Sequence, residues 1–187
     1  MDEETAIARL KAGDVAGLEF LVLRYQVKAL RVANLITRDL PLAEDVVQEC
    51  FLRLIRSIRS FDGQRPFEPW FLRSVIRAAV RAAKQQARHL YAESESEEAW
   101  FESLLGSGKS AEAEVEAMQD QQRVLHALQK LSPRQRAVLV QRYYLGWSEK
   151  EMIAELGVRP GTVKWLLNAA RTRLRSLLEK GGRDETR

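Results

Sequence analysis

The chain has 187 residues, 45% of them hydrophobic and 30% charged, with a formal net charge of +4. That balance describes a folded globular protein rather than a disordered one, and no run of about 18 apolar residues is present to cross a membrane. The acidic start, MDEETAIARL, lacks the apolar stretch of a secretory signal, and the only cysteine, Cys50, has no zinc-site spacing to His89 or His126, so a cytoplasmic protein without disulfide or metal is expected.

Almost every segment repeats its apolar residues at helical rather than alternating spacing, so the expected fold class is all-α, two small helical bundles joined by a linker. An acidic helix is expected around residues 3–12. Leu18, Leu21, Val22, Tyr25, Val32, Ala33 and Ile36 share one face of a second helix that Asp14 can cap. Pro41 suits the first turn of a third, whose apolar face is Val46, Val47, Cys50, Phe51, Leu54, Ile55 and Ile58. The stretch SFDGQRPFEP is rich in glycine and proline and reads as a loop. A fourth helix from about Phe67 to Leu90 closes an N-terminal domain over residues 1–91.

YAESESEEAWFESLLGSGKSAEAEVEAM then breaks the pattern, with low complexity and Gly-Ser-Gly in its middle. It reads as an acidic linker over residues 92–119, with a short helical turn at AWFESLL. Helices near 119–130, 134–145, 148–156 and 160–179 form a second bundle, so residues 120–187 make a C-terminal domain with a short polar tail. Charge follows the same division. Residues 1–91 carry 15 Lys/Arg against 11 Asp/Glu, residues 92–120 carry 1 against 9, and residues 121–187 carry 14 against 6. Two basic blocks around an acidic one suit polyanion binding at both ends, and a solvated charged surface has the same composition. Neither half holds a Gly-rich phosphate loop, a paired-carboxylate signature or a nucleophile with a base, so neither enzyme activity nor a cofactor is expected.

Three stretches carry functional signal. In SEKEMIAELGVRPGTVKWLL, Ser148 and Glu151 have the spacing of a capping box. Ile153, Ala154 and Leu156 are expected to pack inward, Gly157 ends the helix, Val158 packs under the turn and Pro160 starts the next helix. Val163, Leu167, Ala170 and Leu174 then share an inward face, and Thr162, Lys164, Trp165, Asn168, Arg171 and Thr172 the opposite one. A helix–turn–helix lays such a face in the major groove of DNA; an ordinary helical hairpin is the alternative. On the helix after Trp70, Arg73, Arg77, Arg81, Lys84 and Arg88 fall within an arc of roughly 80°, suited to a nucleic-acid backbone or to solvent. On the third helix Asp45, Gln48, Glu49, Leu52 and Arg53 form a mixed ridge opposite the apolar face, suited to protein docking or, again, to solvent.

LAEDVVQECFLRLIRSIRSFDG…PFEPWFLRSVIRAAVR resembles region 2 of an extracytoplasmic-function sigma factor of the sigma-70 family. LQKLSPRQRAVLVQRYYLGWSEKEMIAELGVRPGTVKWLLNAARTRLRSLL resembles region 4 of the same family. The resemblance implies an alternative sigma factor that binds RNA polymerase core and directs promoter-specific initiation. Asp45, Gln48, Glu49, Leu52 and Arg53 would bind the clamp helices of the β′ subunit. Phe61 and Asp62 of the loop, with Trp70, Arg73, Arg77, Arg81, Lys84 and Arg88, would open the minus-ten element and hold a flipped non-template base. The acidic linker would thread towards the RNA exit path. Arg159, Thr162, Lys164, Trp165, Asn168 and Arg171 would face the minus-thirty-five element while their domain packs on the β flap. Polymerase core and promoter DNA are the implied partners, an anti-sigma factor is left open, and no membrane insertion is implied.

The chain departs from the family pattern at several positions. Arg77 stands where members usually have asparagine, seven residues after the tryptophan. Arg159 replaces the usual serine-like cap, and Trp165, Leu166 and Ala169 lie where members often carry basic residues. The alternative to a sigma factor is a helix–turn–helix regulator that does not recruit polymerase. A third reading is an interaction module in which Trp165 and Leu166 bind another protein.

Overall fold

The computed structural model describes residues 1–89 and 123–184, leaving aside the side chains at 88, 89, 156 and 180–184. The expected linker over 92–119, with its turn at AWFESLL, lies outside the described residues, as does the start of the helix expected at 119. The chain divides into two compact units. Among the described residues there is no strand, and no helix is long and apolar enough to cross a membrane.

The N-terminal unit holds α1 (Glu3–Lys11), α2 (Ala16–Thr37), α3 (Leu40–Ser57), a single 3-10 turn (Ile58–Ser60) and α4 (Phe67–His89). Caps fix where these begin. Asp2 accepts from the Thr5 N–H at 2.8 Å and Asp39 from the Leu42 N–H at 2.8 Å, each worth about 1 kcal/mol. Asp14 accepts from the Ala16 N–H at 3.0 Å, one residue earlier than a regular cap, so Val15 occupies the position next to α2. The α1–α2 crossing depends on Gly17, where an added Cβ would stand 2.2 Å from the Ala6 carbonyl oxygen. Arg38, with φ of 63°, turns the chain out of α2 as its N–H donates to the Asn34 carbonyl at 2.8 Å.

The core follows the helical spacing. Leu21, Tyr25, Val32 and Ile36 from α2 meet Val46, Cys50, Phe51 and Leu54 from α3 and Phe71, Leu72, Val75 and Ile76 from α4, all buried. Each such side chain contributes roughly 1.5–3 kcal/mol relative to exposure. One expected core residue is corrected. Ile55 is exposed, because it sits at the edge of the α3 apolar arc beyond the reach of α2 and α4.

In the C-terminal part of the chain, residues 123–129 form α5, followed by α6 (Pro133–Leu139), a wide π turn (Val140–Tyr144), α7 (Glu149–Leu156) and α8 (Pro160–Asp184). Ser132 and Gln135 complete a capping box at α6, with bonds of 3.3 and 3.0 Å. The buried Arg136 donates to the Leu131 carbonyl at 3.0 Å, so its charge closes the carbonyl end of α5. Leu131, Val138, Leu139, Trp147, Met152, Val163, Leu167 and Ala170 are buried. The expected helix over 134–145 is therefore two pieces: the Leu145 N–H reaches back five residues to the Val140 carbonyl at 3.0 Å.

Candidate functional site

The turn between α7 and α8 is built as its residues dictate. The Ser148 N–H and hydroxyl donate to Glu151 at 2.7 and 2.6 Å, and the Glu151 N–H donates back to the Ser148 hydroxyl at 3.2 Å. These bonds hold the Glu151 carboxyl below its ordinary value and fix where α7 starts. Gly157 takes φ of 63°, the left-handed conformation that glycine adopts without strain, and ends α7. The inward residue of α7 is Met152, fully buried, whereas Ile153 is half-buried and Ala154, expected inward, is exposed. The cap sets the rotation of α7, and that rotation buries Met152 rather than Ala154.

Along α8, Val163, Leu167 and Ala170 are buried and Leu174 is half-buried, as their spacing requires. Thr162, Lys164, Trp165, Asn168 and Arg171 are all exposed, and Arg159 before the helix is exposed too. Trp165 shows 67% of its surface. No acidic residue occurs between Pro160 and Leu178. At 100° per residue Arg171, Lys164 and Arg175 lie within about 40° of one another, with Asn168 beside them and Trp165 further round towards the outer pole. Arg171 also has a partner outside the helix–turn–helix. Its Nε–H donates to the Tyr143 hydroxyl at 2.8 Å, with the guanidinium carbon 5.7 Å from the ring centroid. Tyr143 belongs to the π turn, and no sequence spacing singles it out.

In the N-terminal unit, Asp45, Gln48, Glu49, Leu52 and Arg53 are exposed together on α3. Glu49 and Arg53 pair at 2.6 Å across one turn. Such an exposed pair stabilises by at most about 1 kcal/mol, so both groups can be redirected by a partner at low cost. Leu52, 53% exposed, continues into a groove of about 450 Å³ between α2 and α3, lined by Leu18, Val22, Val27, Leu30, Val47 and Phe51 among others. Its α2 wall is a feature that α3 periodicity alone does not reveal.

The basic stripe on α4 lies opposite the face that buries Phe71, Leu72, Val75, Ile76 and Ala79. Arg77 and Arg81 are exposed, Arg73 and Lys84 half-buried; Arg88 lies on the helix, and its side chain falls outside the described residues. The preceding loop divides. Asp62 is exposed, accepting from the Gln64 N–H at 3.0 Å. Phe61, expected at the DNA, is instead only 4% exposed. Its ring meets Phe67 edge-on at 5.4 Å and Trp70 at 4.9 Å, and Lys11 donates to its carbonyl at 2.7 Å. An apolar ring beside two others gains more by burial than by facing water. Trp70 itself is half-buried, its ring backed by Phe61 and Phe67.

Two family models match this architecture: sigma-70 region 2 over residues 21–89 and sigma-70 region 4 over residues 121–174. The extracytoplasmic-function RNA polymerase sigma factor SigL of Mycobacterium tuberculosis is 33% identical over 160 residues, covering 81% of this chain and 83% of its own. The chain is an extracytoplasmic-function sigma factor of the sigma-70 family. Two solved structures share its fold, each with a TM-score of 0.64. CnrH, solved in complex with the cytosolic domain of CnrY, is 23% identical, covering 96% of this chain and 99% of its own. The sigma factor RpoE of Bartonella quintana, solved with the anti-sigma factor NepR, is 22% identical, covering 86% and 96%. As a member of this family the sigma factor directs promoter-specific transcription, with RNA polymerase and promoter DNA as its partners.

Proposed function

We propose that the two units of this sigma factor divide promoter recognition between them. Residues 1–91 dock on polymerase core and open the minus-ten element, residues 120–187 read the minus-thirty-five element and pack on the β flap, and residues 92–119 thread towards the RNA exit path. The observation that carries the reading is α8. It is seated by the Gly157 turn and an apolar inner face, and the outer face offers cations, an amide and an indole with no acid among them. A major groove lined by phosphates accepts that combination; an acidic protein surface would not need the amide and the indole.

The ridge of Asp45, Gln48, Glu49, Leu52 and Arg53 faces the β′ clamp helices. Arg73, Arg77, Arg81, Lys84 and Arg88 follow the DNA backbone, while Asp62 and the half-buried Trp70 border the opened strand. Phe61 supports Trp70 from behind and makes no contact with DNA. Arg159, Thr162, Lys164, Trp165, Asn168 and Arg171 meet the upstream element. Catalysis stays in the polymerase, so the factor acts in the cytoplasm as a non-enzymatic initiation subunit. An anti-sigma protein is a further partner, a reading supported by the complexes in which CnrH and RpoE were solved.

Purified polymerase core with this protein on a randomised promoter library tests the assignment. Transcripts starting downstream of a shared bipartite sequence support it. DNA retention without core, and no added transcripts with it, would leave a regulator that does not recruit polymerase.

A further inference from the structure

The pairing of Tyr143 with Arg171 has no packing role to explain it. Tyr143 is 65% exposed, so its ring fills no core, and Arg171 is exposed on the flank of α8 that also carries Lys164 and Arg175. Arg171 makes no ion pair with any described residue; its partner is the Tyr143 hydroxyl, which accepts from Nε–H at 2.8 Å. The donor inventory then decides what the pair can bind. A guanidinium has five N–H donors and no acceptor, and one donor is used here. The phenol oxygen accepts from a cation, so its own O–H is left to donate, and the neighbouring positive charge polarises it into a stronger donor. Once that bond is made, Arg171 keeps four N–H donors and Tyr143 its O–H, a donor-rich pair on one exposed patch.

We propose that Tyr143 and Arg171 together clamp one backbone phosphate of the upstream promoter element. A phosphodiester supplies two anionic oxygens for this donor set. The Nε bond holds the guanidinium fork in place before DNA arrives, which reduces the rotamer freedom an arginine loses on binding. The clamp also ties the reading helix to the π turn. The wide turn puts Val140 and Gln141 in the core while Tyr143 points out, so the hydroxyl reaches α8 from outside the helix–turn–helix. The inference rests on the assignment of α8 to the minus-thirty-five element.

The test uses holoenzyme assembled from polymerase core and the full chain, on a promoter it transcribes. Single methylphosphonates, which remove one backbone charge each, are stepped through the upstream element. Wild-type holoenzyme should lose affinity at one position, and that loss should be smaller in Tyr143→Phe. That variant keeps the ring but drops the hydroxyl, and should bind unmodified promoter roughly 3- to 10-fold more weakly with unchanged base preference. Arg171→Ala, which removes the charge and the fork together, should become insensitive at the same position. An interference pattern that survives both substitutions overturns the clamp, even where affinity falls, because a purely structural pair would act at no particular phosphate. Binding that ignores deletion of the whole upstream element would instead overturn the assignment of α8 on which the clamp rests.

Discussion

Trp165 is the residue at which sequence and surface chemistry disagree most. Two positions beyond the buried Val163, it is turned by about 200° on the helix and cannot reach the core; its 67% exposure agrees. An indole left in water favours a partner, and the partner reading is set by its surroundings of Thr162, Lys164 and Asn168. On the proposed assignment of α8, it packs there on thymine methyl groups and sugar in the major groove. Trp165→Ala should relax base preference at one or two upstream positions, by about 1 kcal/mol or more per base pair, while core association stays as it was. Unchanged selection from a random promoter library would assign the indole to a protein partner instead. Cys50 shows the opposite environment. Burial pushes its thiol up to about 11 from an ordinary 9.0, with the Arg53 charge opposing the shift. The thiol is thus protonated and shielded at neutral pH, and a maleimide should label it only after unfolding. Between pH 9 and about 11 the unfolded chain releases a proton that the folded chain keeps, so this contribution to stability is full below pH 9 and declines as pH rises through that window. Rapid labelling of the native protein at pH 7.5 would show that the α3 core opens.

Elements were legible where periodicity is long. The 22 residues of α2 and 23 of α4 carry enough apolar repeats to fix both existence and face, and the family motifs reinforced the same boundaries. Short and irregular stretches were not. The π turn spans five residues, too few for its wider spacing to register against the helices around it, and the expected helix over 134–145 passes straight through it. The burial of Phe61 was not legible because a Gly/Pro-rich loop has no periodicity to say which aromatic turns inward; that is decided by Phe67 and Trp70 at the start of α4. Ile55 and Ala154 failed at the edges of their arcs, where one residue of rotation changes burial. Tyr143 could not be found at all, since its partner lies 28 positions away. The α4 stripe is an element-scale feature and predicts an element-scale effect. Phosphate contacts release counterions, so removing each should reduce the slope of log affinity against log salt by about 0.7 to 0.9. Holoenzyme carrying Arg81→Ala and Lys84→Ala should show a visibly flatter salt dependence with the promoter preference retained. An identical slope would return these cations to the solvent.

At the scale of the whole molecule, charge segregation is the dominant sequence feature. Residues 92–120 carry 9 acidic side chains against 1 basic, between blocks with 15 against 11 and 14 against 6. In the free protein this acidic run is covalently attached to both DNA-binding units, and at physiological salt its field extends about 8 Å around each charge. We propose that it competes with promoter DNA for the same cations, with the effective concentration that a covalent tether provides. In the proposed division of labour, polymerase changes that balance by drawing the run into its own channel, which leaves α4 and α8 to the promoter. Replacing Glu93, Glu95, Glu97 and Glu98 by glutamine should then raise the DNA affinity of the free protein several-fold and that of the holoenzyme much less, as measured by fluorescence anisotropy at fixed salt. Because the effect is electrostatic, the difference should shrink as salt rises. Equal gains in both states would mean that the acidic run lies equally close to the DNA-binding surfaces with and without core, and the competition between linker and promoter would have to be abandoned.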